Sequence, residues 1–116
     1  MPIRNFLKAN LGDEPNCHGG EGVLKHISLY EDKDLLSKLR FINYTILPAG
    51  TSIGLHGHGN DEEIYIILEG QGIMEVDGEE KAVSPGDVIL NKPYGEHGLK
   101  NNSNSDLKIL VFEAGV

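Results

Sequence analysis

The chain has 116 residues, a length that suits one domain burying roughly 65% of its unfolded surface. Eighteen Asp and Glu against ten Lys and Arg leave a net charge of -8. The few cations are scattered singly, which argues against nucleic acid or an anionic membrane surface as partner. No apolar run approaches the ~20 residues of a membrane span, the first residues lack the apolar core of a signal peptide, and the lone Cys17 suits a reducing compartment, so a cytoplasmic location is expected.

Fifteen glycines and five prolines in so short a chain imply many turns and short elements. Val23 to Tyr30 reads as the first strand, after a bend at Gly19, Gly20 and Gly22. Glu31 to Lys38 is the one stretch that reads as a helix, about two turns long, with Asp32 or Asp34 near its start. Phe41 to Leu47 is a second strand, stopped by Pro48, Ala49 and Gly50. Ser52 to His58 and Glu63 to Leu68 follow, across a polar loop. After Gly70 come Gly72 to Val76 and Glu80 to Val83, joined at Asp77-Gly78, a strong two-residue hairpin signal. Pro85-Gly86 turns into Val88 to Asn91, and His97 to Lys100 and Leu107 to Phe112 complete the set.

Some nine strands at spacings of roughly eight to twelve residues, with no helices between them, predict an all-β antiparallel sandwich or barrel. Residues 1–40, with the N-terminal strand and short helix, belong to the same domain as the barrel core of residues 41–116.

The histidines carry the chemistry. Side chains two apart on a strand share a face, so His56 and His58 point the same way, roughly 7 Å apart along the chain. Glu63 opens the next strand, and barrel closure could carry His97 to the same place. Three imidazoles and a carboxylate suit Mn, Fe, Co, Ni, Cu or Zn, whereas Ca and Mg prefer all-oxygen shells.

The spacing Gly50-x5-His56-x-His58-x4-Glu63-x6-Gly70 resembles the first signature of the cupin superfamily, and Gly86, Pro93, Gly95, His97 and Asn101 resemble the second. The second departs in detail: six residues separate Gly86 from Pro93 and one separates Gly95 from His97, where the family usually has five and two. The departure touches a turn and leaves the Gly86-to-His97 separation intact.

The resemblance implies a jelly-roll β-barrel (double-stranded β-helix) with one divalent transition-metal ion on His56, His58, Glu63 and His97. It selects Glu63 over Glu62, because the family's carboxylate lies seven residues before the closing glycine. It implies a metal-dependent small-molecule enzyme of dioxygenase or decarboxylase type, acting on a small metal-chelating acid or diol. The alternative is a non-catalytic module that binds or senses a small ligand in the same pocket, and a metal-free structural barrel is a third reading. Small cupins commonly pair, so a homodimer through edge strands is expected.

A His-x-His pair on a strand is by itself more often surface or structural than metal-binding; the spacing of Glu63 and His97 reverses that balance. Tyr65 and Ile67 share the face of Glu63 by alternation, which makes Tyr65 a candidate catalytic hydrogen-bond donor, against the ordinary reading of a packed aromatic. Either Phe41 and Asn43 or Tyr44 and Ile46 face the pocket from the neighbouring strand. His26 reads as a surface or dimer-interface residue, and Cys17-His18-Gly19-Gly20 as a bend.

Overall fold

The computed structural model describes residues 1–116 and contains ten strands: β1 (Gly12–Pro15), β2 (Val23–Glu31), β3 (Leu39–Leu47), β4 (Ser52–Gly57), β5 (Asp61–Glu69), β6 (Gly72–Val76), β7 (Glu79–Val83), β8 (Val88–Asn91), β9 (Glu96–Lys100) and β10 (Leu107–Gly115). They form a six-stranded sheet in the order β1-β2-β3-β10-β5-β8 and a four-stranded sheet in the order β4-β9-β6-β7. Every pairing is antiparallel. Period-two alternation explains the layering: β5 reads buried at Asp61, Glu63, Tyr65 and Ile67, and β10 at Leu107, Ile109, Val111 and Glu113.

The core lies between the sheets. Leu24, Leu47, Ile67, Leu107 and Ile109 from the larger sheet meet Ile53, Met74, Val83 and Leu99 from the smaller one. The Asp77-Gly78 hairpin joins β6 to β7 with both residues at positive φ, 48° and 82°, as a type I′ turn requires.

Two expectations are corrected. The stretch Glu31 to Lys38 forms no two-turn helix; a single 3-10 turn covers Asp32–Asp34. Asp34 accepts a hydrogen bond from the Glu31 N–H and is bridged by Arg4, so its carboxylate serves the turn rather than a helix. Leu36 is fully exposed, so a helix there would have had no apolar face to bury. The second correction is β1, which pairs with β2 from Gly12 opposite His26 to Pro15 opposite Val23. Pro15 fits there because β1 is an edge strand.

Candidate metal centre

His56 on β4 and His97 on β9 occupy directly opposed positions, and their rings lie 4.4 Å apart. His58 follows the end of β4, and its ring stacks on that of His97 at 4.5 Å. Glu63 reaches in from β5 on the facing sheet. Its Oε1 lies 2.8 Å from His97 Nε2 and 3.4 Å from His58 Nε2, and the two Nε2 atoms are 3.2 Å apart. Donors bound to one transition ion at about 2.0–2.2 Å stand roughly 3 Å from each other, so this cluster already has the separation an ion needs. One donor atom from each of His56, His58, Glu63 and His97 falls within 4.8 Å of all the others.

Polar surroundings reinforce the fit. The Nδ1–H of His56 donates to Gly54 O at 2.8 Å, which leaves the Nε2 lone pair for a metal. Burial lowers the His56 pKa to about 4, so this imidazole stays neutral over the whole physiological range. Glu63 is flanked in register by Asn91 on β8 and Glu113 on β10, all three buried. Burial, then the charges of Asp61 and Glu63, push the Glu113 carboxyl up to about 7, against the pull of Arg40. Asp61 and Glu113 both face the Arg40 guanidinium, and Glu63 is the register partner of Glu113, so three acidic side chains gather near a single cation, surroundings that favour a divalent ion. Three buried side-chain atoms lack a hydrogen-bond partner in the chain: Asp61 Oδ1 and both polar atoms of Asn91. Both residues neighbour the cluster, Asp61 at His58 and Asn91 opposite Glu63.

A cavity of about 100 Å³ opens beside His56 and Glu63. Its walls include Glu14, Cys17, His18, His26, Asn43, Thr45 and Tyr65. Of the two alternatives for β3, the cavity takes Phe41 and Asn43, together with Thr45; Tyr44 faces the other way and stacks on Phe6 at 4.4 Å. Tyr65 is wholly buried, its ring edge-on to His97 at 5.3 Å, and burial with the nearby Glu63 charge holds its hydroxyl protonated. Glu63 is buried and Glu62 only half-buried, in accord with their opposite directions on β5.

His26 does not lie on the outer surface. It faces the cavity, with Nδ1 2.9 Å from Thr45 Oγ1 and 3.5 Å from Glu14 Oε2. Plain alternation places it there, since His26 shares its face of β2 with the fully buried Leu24 two residues earlier. His18 was passed over as part of a bend. The 3-10 turn Cys17–Gly19 places its ring flat on His56, centroids 3.6 Å apart, and no sequence spacing signals that contact. Cys17 lies outside the donor cluster, and burial, then Glu14, push its thiol up to about 12.

The glycine-to-histidine turn that departs from the usual spacing is closed by Gly95 N–H donating to Lys92 O, with Tyr94 at φ 63°. Asn101 is structural: its amide donates to Leu47 O and Ser105 O, pinning the loop before β10.

Residues 43–113 match the Cupin domain family. An oxalate-binding protein of Thermotoga maritima is 34% identical over 96 residues, spanning 83% of this chain and 79% of that protein. An uncharacterized protein of Methanocaldococcus jannaschii is 46% identical over 65 residues, covering 56% of this chain and 52% of its own length. Among solved structures, a predicted oxalate decarboxylase from Thermotoga maritima superposes with a TM-score of 0.95 at 29% identity over the full length of both chains. KdgF from Halomonas sp. has the same fold, with a TM-score of 0.81 at 15% identity over 100% of this chain and 94% of that one. With two facing antiparallel sheets, both signature motifs and this match over most of its length, the chain belongs to the cupin family.

Proposed function

We propose that the protein holds one divalent transition-metal ion on His56, His58, Glu63 and His97 and binds a small metal-chelating carboxylic acid in the adjoining cavity. The observation that carries this reading is the convergence of four donors from both sheets beside an internal cavity of about 100 Å³. When bound, the ion would supply a Lewis acid that grips and polarises the ligand. The candidate ions are Mn, Fe, Co, Ni, Cu and Zn, because nitrogen donors dominate the set.

The chain's own residues define the ligand. The cavity is well below the roughly 300 Å³ of pockets for drug-sized molecules, so an acid of a few heavy atoms fits and an aromatic substrate does not. No Lys or Arg lines it, which leaves ligand charge to be met at the metal. Asn43 accepts from Ser28 Oγ at 2.8 Å and keeps its amide N–H groups for the ligand. The oxalate named for the Thermotoga relative meets this description and is the first ligand to test.

Turnover of decarboxylase or dioxygenase type is a second reading, favoured by the His26–Glu14 pair and the Tyr65 hydroxyl on the cavity wall, groups able to move or hold a proton. Elemental analysis of protein purified without chelator, followed by calorimetric titration of the Mn(II)-loaded protein with oxalate, tests the main reading. One equivalent of metal and oxalate binding that vanishes with the metal are expected; absence of either overturns it. Carbon dioxide release and oxygen uptake by the loaded protein decide between binding and turnover. The unpaired edges of β1 and β8 favour a homodimer, which light scattering checks.

A further inference from the structure

We propose that Arg40, Asp61 and Glu113 are positioning residues for His58: the guanidinium fixes two carboxylates against His58 Nδ1 so that Nε2 is held toward the metal. The proposal rests on the metal reading above and adds the residues that control it.

The four ligands are not anchored alike. His56 is oriented by a backbone carbonyl, Gly54 O, and so by β4 itself. His58 lies beyond the last residue of β4, and its ring has no backbone partner. Its side chain is only 10% exposed. The ring is thus largely screened from water, and its Nδ1–H gains most from an acceptor within the chain. The acceptors facing Nδ1 are Asp61 Oδ1 and Glu113 Oε1, each at 3.4 Å. Asp61 Oδ1 is itself buried and unpartnered. A small tilt of the ring closes the gap and satisfies donor and acceptor together.

Arg40 makes the arrangement tenable. Its Nη1 donates to Asp61 Oδ2 at 2.9 Å and lies 3.8 Å from Glu113 Oε2. Each carboxylate thus turns one oxygen to Arg40 and the other to His58. Without the guanidinium, two buried carboxylates would repel each other and swing apart. Placing Nδ1–H between carboxylates fixes the tautomer and raises the basicity of Nε2, the way outer partners tune metal-bound histidines. The three residues come from β3, β5 and β10, which are adjacent in the larger sheet, so the bracket is built by strand order.

Co(II) titration of the full chain tests this, with affinity and the visible spectrum of the bound ion as readouts. Asp61→Asn and Arg40→Ala should each weaken Co(II) binding about 10–100-fold and shift the spectrum, while Arg40→Lys recovers part of the loss. Circular dichroism of the metal-free variants separates this from unfolding; if Arg40→Ala does not fold, Asp61→Asn and Arg40→Lys carry the test. Unchanged affinity and spectrum in folded variants overturn the proposal. So would a second equivalent of Co(II) that disappears in Glu113→Gln, since the carboxylates would then be ligands in their own right. A wild-type chain that binds no Co(II) overturns the metal reading itself, a result distinct from both.

Discussion

His56 and His97 face each other across the β4–β9 ladder, far apart in sequence yet directly paired in register. The site is therefore assembled by strand pairing, and its donors belong to a framework that the apolar core holds independently of any ion. Removing His58, which lies outside that ladder, should abolish metal binding without unfolding the protein. His58→Ala is expected to retain less than about a tenth of an equivalent of metal, as loss of a ligand weakens such sites severely. Elemental analysis beside a circular dichroism spectrum checks both halves.

The pH dependence of the metal-free protein has two opposed parts. His56 has its pKa lowered from 6.5 to about 4, so the unfolded chain binds more protons between those values, and this contribution is lost as pH falls from 6.5 toward 4. Glu113 has its pKa raised from 4.5 to about 7, so here the folded chain binds more protons, and stability is lost as pH rises from 4.5 to 7. Glu113→Gln removes the second part alone. In urea unfolding of metal-free protein, its stability relative to wild type should therefore be greater at pH 7.5 than at pH 4.5, two values on either side of that window. A difference of the opposite sign would show that the Glu113 pKa is not raised in the folded chain.

Asn43 should matter for the acid and not for the ion. Asn43→Leu is expected to weaken oxalate binding about tenfold, the loss of one hydrogen bond to a charged group at roughly 1.5 kcal/mol. Metal affinity should be unchanged. Calorimetry with Mn(II) and then with oxalate separates the two.

Leu99 is fully buried on β9, two residues from His97, and belongs to the core between the sheets. Leu99→Ala should cost about 2–5 kcal/mol of stability. Denaturant unfolding with metal present and absent should give the same loss, because the cavity created lies in the apolar packing.

The architecture was legible wherever alternation and turn chemistry agreed. Asp77-Gly78 marked its hairpin, and the spacing of His56, His58 and Glu63 on strands foretold three neighbours in space. β1 was not legible, since Gly12 to Pro15 carries no apolar alternation and is held by pairing to β2. The helix expected after Glu31 failed because local side-chain bonds from Asp34 outcompeted a helix with no face to bury. The placing of His18 and the grouping of Arg40 with Asp61 and Glu113 depend on a 3-10 turn and on lateral strand order. None of these leaves a periodic trace in the chain.

The turn that carries His18 is fastened to β4 by two glycines in backbone contact. A Cβ on Gly20 would lie 2.2 Å from Ser52 O, and one on Gly54 would lie 2.2 Å from His18 O. Even alanine at either position would pry the two segments apart and lift His18 from the face of His56. This wall of the cavity is therefore a fixed frame whose position is dictated by the main chain, and a broader choice of ligand would have to come from residues on the opposite wall.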